Sequence, residues 1–586
     1  MILDRINSSQ DLKSLNITEL NTLADEMREA IIKKVNTTGG HFGPNLGILE
    51  ATIAYHYVFN GPEDKLVLDV SHQSYPHKIL TGRKEGFLDP DKYLKYTGYT
   101  APEESPHDLF KVGHTSTSVS LACGVAKARD LKCEKYNVTA LIGDGSLSGG
   151  EALEGLDNAA KLGSNFIVIV NDNDQSIAEN HGGLYDNLKL LRDTDGKAEC
   201  NFFKSLGFDY YIVKEGNNIE NLIETFKKVK DTDHPVVVHI CTLKGHGCKV
   251  AEENKEAFHW ILPGTLDNNT ESGTPSETYT SITKDYIINK IKTDSDFIVV
   301  NAGTPGVFGF DKAFRDEAGK QYSDVGIAEE HAVAYSSALA KSGAKPVLAI
   351  MSSFVQRTYD QMSQDLCLNN SPITMLVYWG GISGADATHL CTFDIPLISN
   401  IPNMVYLAPT TKEEHLAMLS WAVEQKDYPV AIRVPMTSLV STGIEDRTNY
   451  SELNKFKVTK QGKEIAIIGA GNFFNLANEV SEELGGNVTV INPRFLSGLD
   501  TELLENLKQD HKLVITLEDG ELDGGFGEKI ARFYGNSDMK VLCYGAKKEF
   551  TDRVPMDELL TRYRLRKELI AEDAKKCIME GSYVHS

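Results

Sequence analysis

Cysteine is scarce in this chain: nine cysteines are scattered over 586 residues, and no two form a C-x-x-C pair. Reduced thiols fit that pattern better than a disulfide framework or a zinc site, so no cysteine is expected to be catalytic. Long apolar runs are also missing. No stretch approaches the length of a transmembrane helix, and Met1 to Asn16 lacks the apolar core of a signal peptide. These absences predict a cytoplasmic protein that does not enter a membrane.

Positive charge is in short supply as well. Lysine and arginine total 60 against 83 aspartates and glutamates, which gives a net charge of −23. A surface of that sign repels nucleic acid and anionic membranes, so neither is expected as a partner. Any site for a phosphate group must therefore be local.

The length and composition indicate a soluble protein with several domains. A chain of 586 residues is too long for one core, and its 41% apolar and 24% charged residues are ordinary for a globular protein. We expect three or four domains, each able to bury a large core.

Two short polar strings each follow an apolar, strand-like run. Gly143-Asp144-Gly145 follows Val138 to Ile142, and Asn171-Asp172-Asn173 follows Phe166 to Val170. Between them, Glu151 to Leu162 carries leucines and alanines at helical spacing, which predicts one βαβ unit. A parallel sheet would bring the two strings to the same edge, where a carboxylate and an amide suit Mg²⁺ that also binds phosphate oxygens. Each string alone is common turn chemistry, but together they predict a metal-diphosphate site, and they resemble the pattern of thiamine diphosphate enzymes.

Alternating strand-like and helical patterns recur in three series. The first begins with an N-cap signal at Asn16 and Glu19. A segment rich in Gly, Pro, Asn, Ser and Thr ends the first series, and a polar segment ends the second. The pattern predicts α/β domains at 1–262, 281–436 and 458–586, with linkers at 263–280 and 437–457.

Further motifs lie in order along the chain. They are Gly40-His41-Phe42 with Leu46-Gly47, Asp69 to Lys78, Gly113 to Ser118, Ile327 to Ala332, Phe354 to Gln361, and Gly384-Ala385-Asp386 with Thr388-His389. In sequence and spacing they resemble the 1-deoxy-D-xylulose 5-phosphate synthase family of the transketolase superfamily, along most of the chain. The resemblance implies three doubly wound α/β domains of transketolase type, a homodimer, and thiamine diphosphate bound between the first two domains.

The resemblance also implies roles for individual residues. The magnesium ion would be held by Asp144, Asn173 and the main-chain oxygen of Gln175. The residues implied to contact thiamine diphosphate are His72, Gly113, His114, Thr115, Gly145, Ser146, Asn173, Cys248, Glu329 and Phe354. The residues implied to take part in catalysis are Glu329, His41, His72, His259, Arg357, Asp386 and His389.

Glu329 is the strongest catalytic candidate. The resemblance implies that its carboxyl group shares a proton with the aminopyrimidine ring and so promotes deprotonation of the thiazolium carbon. Without that context, an acidic residue at a helix start would be the simpler interpretation. Cys248 stands where the family usually has a tyrosine, and an inert buried thiol is an equally good interpretation of it. His77, His107, His234 and His415 are expected to be structural.

The acceptor side departs from the family pattern. Trp379 and Met436 stand where the family has arginines for the phosphate of glyceraldehyde 3-phosphate, and Met351 replaces a tyrosine. The loop from Asp386 to His389 is one residue shorter than usual, and the segment from His181 to Phe208 is much shorter. Such a pocket suits an uncharged or partly apolar aldehyde.

The chain also has no evident match to the family's arginine-bearing stretch in Ala101 to Asp108. The loss of cations has an alternative interpretation, in which Arg357, a lysine or a repositioned loop supplies the missing charge.

Three functions remain open from the sequence. The main interpretation is a thiamine diphosphate-dependent transferase that decarboxylates pyruvate and joins the two-carbon unit to an aldehyde. The first alternative is a related 2-oxo acid carboligase or transketolase-like enzyme with a non-phosphorylated acceptor. The second is a catalytically silent scaffold paralogue, against which the retention of Asp144, Asn173 and Glu329 argues. A nicotinamide dehydrogenase is set aside, because no G-x-G-x-x-G opens a helix in the first βαβ unit.

Overall fold

The structure is a computed structural model that describes residues 1–267 and 276–582. It divides into two compact units, Met1–Pro275 with Val325–Ala328, and Ser276–Asp324 with Glu329–Ser586, called unit 1 and unit 2 below. Part of the predicted linker 263–280, residues 268–275, lies outside the described residues. Within the described ranges, none of the helices has both the length and the apolar character needed to cross a bilayer.

Unit 1 is built on a five-stranded parallel sheet. The strands of unit 1 are β1 Gly40–His41, β2 Lys65–Leu68, β3 Val138–Gly143, β4 Phe166–Asp172, β5 Asp209–Val213, β6 Pro235–Cys241 and β7 Trp260–Ile261. The large sheet has the order β2-β3-β4-β6-β5, and β1 and β7 form a separate antiparallel pair. Its α-helices are Ile2–Arg5, Ile17–Thr38, Gly43–Gly47, Leu49–Val58, Tyr75–Lys78, Glu85–Leu88, Ser118–Leu131, Gly150–Ala159, Gly183–Asp193, Phe202–Leu206, Ile219–Val229 and Lys249–Glu253.

Alternate side chains of the central strands enter two different cores. On β4, Ile167 and Ile169 pack into one core, whereas Phe166, Val168 and Val170 pack into another. Successive side chains of a strand point to opposite faces, so helices cover both faces of this sheet. That arrangement explains why β4 reads as an unbroken apolar run.

The first predicted βαβ unit is present, with small shifts at its ends. β4 continues through Asn171 and Asp172 because both residues still pair with β6. The helix ends at Ala159, where turn bonds and Gly163 at a φ of 66° take over. The N-cap prediction at Asn16 is confirmed: its side chain accepts the Glu19 N–H at 3.0 Å.

Unit 2 contains two further sheets. The first has the order β12-β13-β11-β10-β8-β9 and is parallel; the second has the order β14-β16-β15-β17-β18, with β14 antiparallel. The strands are β8 Phe297–Asn301, β9 Tyr322–Asp324, β10 Lys345–Met351, β11 Thr374–Tyr378, β12 Val405–Leu407, β13 Val430–Val434, β14 Lys457–Lys460, β15 Glu464–Gly469, β16 Thr489–Asn492, β17 His511–Glu521 and β18 Lys540–Ala546.

Helices flank both sheets of unit 2. They are Tyr279–Thr293, Lys312–Ala318, Glu329–Lys341, Tyr359–Gln361, Asp394–Ser399, Lys412–Glu424, Phe474–Glu483, Thr501–Leu507, Phe526–Tyr534, Met556–Arg562 and Lys567–Ser582. Together with the sheet of unit 1, these two sheets confirm the predicted α/β class, because each of the three sheets is mainly parallel and is accompanied by helices.

Candidate active site

Asp144 and the loop after β4 lie at the same edge of the unit 1 sheet. β3 and β4 are neighbours in parallel register, and the Asp144 N–H donates to the Asn171 carbonyl at 3.0 Å. The loop then folds back over the carboxylate. The Gln175 N–H donates to Asp144 Oδ2 at 3.0 Å, and the Asn180 side-chain amide donates to the same oxygen at 2.8 Å.

This edge has the chemistry of a magnesium and diphosphate site. The Asn173 Oδ1 atom is buried and has no hydrogen-bond partner within residues 1–267 and 276–582. Burial, with a further contribution from Asp172, raises the pKa of the Asp144 carboxyl group, so a nearby cation would stabilise its charged form. A Cβ on Gly145 would stand 2.7 Å from Ser176 Oγ, so only glycine allows this close approach. The residues therefore fit an oxygen-ligated cation, and their roles as ligands stay a prediction.

The predicted diphosphate turn is fastened to the same edge. Asp69 accepts the Ser116 and Ser118 N–H groups at 2.9 and 3.0 Å, which fixes the turn that carries Gly113, His114 and Thr115. Ser116 Oγ then donates to the Ser146 carbonyl at 2.8 Å. Two predicted binding strings that are distant in sequence are thus connected by one serine.

Three predicted catalytic histidines converge in unit 1. The ring centroids of His41 and His72 are 5.0 Å apart, and both rings lie near that of His259, at 5.6 and 5.5 Å. The pairing of β1 with β7 brings His41 close to His259, because it sets His41 opposite Trp260, the residue that follows His259. Burial lowers the pKa of His259 well below its usual value, and Lys244 adds to that shift.

Lys244 is a candidate that the sequence analysis missed. It is buried, and its ammonium group donates to the Ser176 carbonyl at 2.5 Å. Burial lowers its pKa to about 7, against the opposing effect of Asp144. Its position three residues after β6, the neighbour of β4, is the signal that places it at the edge where Asp144 lies.

Cys248 lies directly before the helix Lys249–Glu253 and packs, half-buried, against the larger core of unit 1. Its N–H donates to the Gly245 carbonyl at 3.0 Å. That position is compatible with both interpretations of the thiol, so its contact with a cofactor stays a prediction.

Glu329 opens the helix Glu329–Lys341 in unit 2 and is buried. Its Oε2 atom lies 3.7 Å from the Arg357 guanidinium and has no hydrogen-bond partner within the described part of the chain. Burial raises the pKa of Glu329, and Arg357 offsets only part of that shift. A buried carboxyl group that favours the protonated form is suited to sharing a proton with a ring nitrogen.

The other candidates of unit 2 form a second small cluster. Asp386 accepts the Thr388 hydroxyl at 2.9 Å, and Thr388 Oγ1 lies 2.8 Å from His389 Nδ1. Because that hydroxyl donates to the carboxylate, it accepts from His389, so His389 Nδ1 carries the proton and Nε2 bears the lone pair. The His389 ring meets the Phe354 ring edge-on at 5.9 Å. Burial lowers the pKa of His389, and Asp386 offsets part of that shift.

The arginine nearest in sequence to the predicted acceptor changes is already paired. Arg433 Nε donates to Asp394 Oδ2 at 2.6 Å, and its Nη1 binds Asp519. All three side chains are buried. Arg433 therefore joins the two sheets of unit 2 and is not available for a substrate phosphate.

The substituted positions themselves differ in exposure. Met436 is 64% exposed, whereas Trp379 and Met351 pack against one core. Trp379 has a φ of 64°, an unusual conformation for a bulky residue and a sign of local constraint. In unit 1, the short segment 181–208 forms the helices Gly183–Asp193 and Phe202–Leu206.

Family profiles match nearly the whole chain. The profile described as 1-deoxy-D-xylulose-5-phosphate synthase matches residues 3–200 and 194–242, that of the transketolase pyrimidine binding domain 278–440, and that of the transketolase C-terminal domain 454–570. The chain is thus an α/β protein of transketolase type.

Curated relatives extend the match to full length. The 1-deoxy-D-xylulose-5-phosphate synthase of Halothermothrix orenii is 37% identical over 99% of this chain and 98% of its own. That of Carboxydothermus hydrogenoformans is 37% identical over 97% of both chains. The chain belongs to the 1-deoxy-D-xylulose-5-phosphate synthase family, as the sequence motifs predicted. Among solved structures, a transketolase from Leishmania mexicana aligns with a TM-score of 0.43, at 14% identity over 95% of this chain and 97% of that chain.

Proposed function

We propose that this protein is a thiamine diphosphate-dependent transferase that decarboxylates pyruvate and joins the two-carbon unit to an aldehyde, with release of CO₂. The observation that carries the proposal is the edge of the unit 1 sheet, where the buried Asp144 lies under the loop of Asn173. The Oδ1 atom of Asn173 has no hydrogen-bond partner in the described part of the chain. The full-length similarity to relatives named 1-deoxy-D-xylulose-5-phosphate synthase supports the same reaction.

Magnesium would be held by Asp144, Asn173 and the main-chain oxygen of Gln175. His72, the turn at Gly113, His114 and Thr115, and the backbone at Gly145 and Ser146 would contact the diphosphate. When bound, thiamine diphosphate supplies the electron sink that decarboxylation of a 2-oxo acid needs. Phe354 would pack on the pyrimidine ring.

Glu329 would hold the proton that the pyrimidine ring exchanges. Its burial keeps the carboxyl group ready to donate that proton, while Arg357 limits how far its pKa rises. His41, His72 and His259 would orient the donor and move protons to and from its oxygen atoms, because neutral imidazoles can do both. His389, with Nδ1 held by Thr388, would present Nε2 to the acceptor.

The acceptor in this family is glyceraldehyde 3-phosphate, and we propose it as the acceptor here. A non-phosphorylated aldehyde is the second candidate. The observation that favours it is that Arg433 is committed to Asp394 and Asp519, while the neighbouring positions carry Met436 and Trp379. Because the Arg433 guanidinium is already paired, it would not give a substrate phosphate a charge-assisted hydrogen bond.

Mass spectrometry of a competition reaction tests the proposal. Purified protein with thiamine diphosphate, Mg²⁺ and pyruvate receives equal amounts of glyceraldehyde 3-phosphate and glyceraldehyde. Predominant 1-deoxy-D-xylulose 5-phosphate supports the first acceptor, and predominant 1-deoxy-D-xylulose supports the second. No pyruvate-dependent CO₂ from cofactor-loaded protein would contradict both and favour a silent scaffold.

We also propose a homodimer, from the family resemblance, and a cytoplasmic location, from the composition of the sequence. Light scattering of the purified protein should give twice the chain mass of 64.7 kDa. Cell fractionation should recover the protein with the cytoplasmic markers.

A further inference from the structure

The residues on both sides of Asn173 are bound by one guanidinium group. Arg192 Nη1 donates to Asp172 Oδ2 at 2.5 Å, and Arg192 Nη2 donates to Asp174 Oδ1 at 2.5 Å. A planar guanidinium can bridge two acceptors in this way, whereas an ammonium group acts as a point charge. The bridge therefore restrains the backbone on either side of Asn173.

The Asp172 side chain is also held by a residue of strand β6. The side chain is fully buried, and its Oδ2 also accepts the His239 Nε2–H at 2.8 Å. On the other side of that ring, Tyr210 donates its hydroxyl proton to Nδ1 at 2.7 Å. Strands β5 and β6, which carry these two residues, thus provide a rigid support for one arm of the bridge.

Asp174 has a left-handed backbone conformation. Its φ is 61°, in a region that aspartate and asparagine adopt more often than other non-glycine residues. Contacts around such a residue stabilise the conformation. Two contacts do so here: the Asp174 N–H donates to Asp172 Oδ1 at 3.1 Å, and the Asp174 carboxylate binds Arg192.

Arg192 reaches this loop from the last turn of the helix Gly183–Asp193. Leu188 and Leu191 anchor that helix in the core of unit 1. Near its start, the Tyr185 hydroxyl donates to the Gly145 carbonyl at 3.2 Å. The helix therefore contacts both predicted halves of the metal-diphosphate site.

We propose that Arg192 is a positioning residue for the magnesium site: by bridging Asp172 and Asp174, it keeps the Asn173 amide oxygen directed at the ion. This inference rests on the proposed function, since it takes the edge at Asp144 as the magnesium site. The independent observation that points to a ligand there is the buried Oδ1 of Asn173, which has no hydrogen-bond partner among the residues that the structure describes. In this role Arg192 is not a ligand of the ion and acts through the loop that it bridges.

The test measures Mn²⁺ binding to the full-length protein by electron paramagnetic resonance, with saturating thiamine diphosphate. Outer residues that orient metal ligands commonly contribute 10- to 100-fold in affinity. We expect Arg192→Met to weaken Mn²⁺ binding about 10- to 100-fold and Arg192→Lys to weaken it less. With excess Mn²⁺, kcat should return close to the wild-type value, because the ligands themselves are unchanged.

Lys189→Met is the matched control. Lys189 lies on the same helix and pairs with the exposed Asp193 at 2.7 Å, so its removal also takes one cation from the helix. Its Mn²⁺ affinity should equal that of the wild type. A purely structural role for Arg192 would lower the melting temperature of the variant and leave the Mn²⁺ dissociation constant unchanged.

Each outcome has one meaning. Wild-type protein without cofactor-dependent Mn²⁺ binding would overturn the proposed function. Normal wild-type binding with an Arg192→Met affinity within twofold of it would overturn this inference alone. If Arg192→Met does not fold, Asp174→Asn decides by the same twofold criterion, because Asp174 is 65% exposed and carries one arm of the bridge.

Discussion

Replacing Glu329 with glutamine removes a carboxyl group and keeps the shape of the side chain. Glu329 is 4% exposed, and its Oε2 atom lies 3.7 Å from Arg357 without a hydrogen-bond partner among residues 1–267 and 276–582. Burial raises its pKa above the ordinary value of 4.5. The ionised carboxylate is therefore the form that the folded protein disfavours.

The stability effect has a definite sign. Between pH 4.5 and the raised pKa of the folded state, the folded protein binds more protons at Glu329 than the unfolded chain does. Stability therefore falls as the pH rises through that window, and the loss is complete above it. Glutamine cannot ionise, so cofactor-free Glu329→Gln should melt at or above the wild-type temperature at about pH 8. Near pH 4, the two proteins should melt alike.

The effect on activity should be opposite. Loss of a positioned proton-transfer group commonly costs 10²- to 10⁴-fold in rate, or about 3–5 kcal/mol of transition-state stabilisation. We expect Glu329→Gln to lose that factor in CO₂ release from pyruvate and in deuterium exchange at the thiazolium carbon. Its affinity for thiamine diphosphate should change far less.

Glu330→Gln is the matched control for this experiment. Glu330 is the next residue and is half-buried, so its replacement removes a carboxylate from the same helix start. That variant should keep wild-type CO₂ release. A Glu329→Gln protein that binds the cofactor and retains more than about a tenth of the wild-type rate would refute the proton-sharing role.

Three further substitutions separate ligand, structural and acceptor roles. Asp144→Asn should raise the Mg²⁺ concentration for half-maximal activation by about 100-fold or more, measured as CO₂ release against Mg²⁺. Arg433→Met leaves the buried carboxylates of Asp394 and Asp519 without their cation. The free energy of unfolding, measured with denaturant, should therefore fall by about 3–5 kcal/mol, and an unchanged midpoint would contradict the buried ion pairs. Met436→Arg should lower KM for glyceraldehyde 3-phosphate by about 3- to 10-fold and leave KM for glyceraldehyde unchanged. If Met436→Gln lowers KM for glyceraldehyde 3-phosphate by the same factor, charge is not the cause.

The α/β class was predictable because its signals are local. A fully buried parallel strand needs an uninterrupted apolar run, and β3, β4 and β6 each have one. The ends of elements were less predictable. β4 continued through Asn171 and Asp172 because β6 offered partners there, which is a property of the neighbouring strand.

The candidate site was predictable in part. A general property of parallel sheets brings the ends of β3 and β4 together, so the approach of Asp144 to the loop of Asn173 followed from the pattern. The convergence of His41, His72 and His259 was implied only through the family resemblance. The position of Lys244 shortly after β6 indicates only the edge of the sheet where it lies, whereas its burial depends on the elements packed around it.

By itself, the sequence determined the α/β pattern of strands and helices, the family, and the order of the loops predicted to carry ligands, because apolar periodicity and short motifs act within a few residues. Tertiary structure decided which charged groups are paired with a group of opposite charge. Arg433, which lies three residues before Met436, is held by Asp394 and Asp519. Arg192, which no motif marked, bridges the carboxylates beside Asn173. Such pairings join residues that are distant in sequence, and the low dielectric of the folded interior makes them strong only once packing has excluded water.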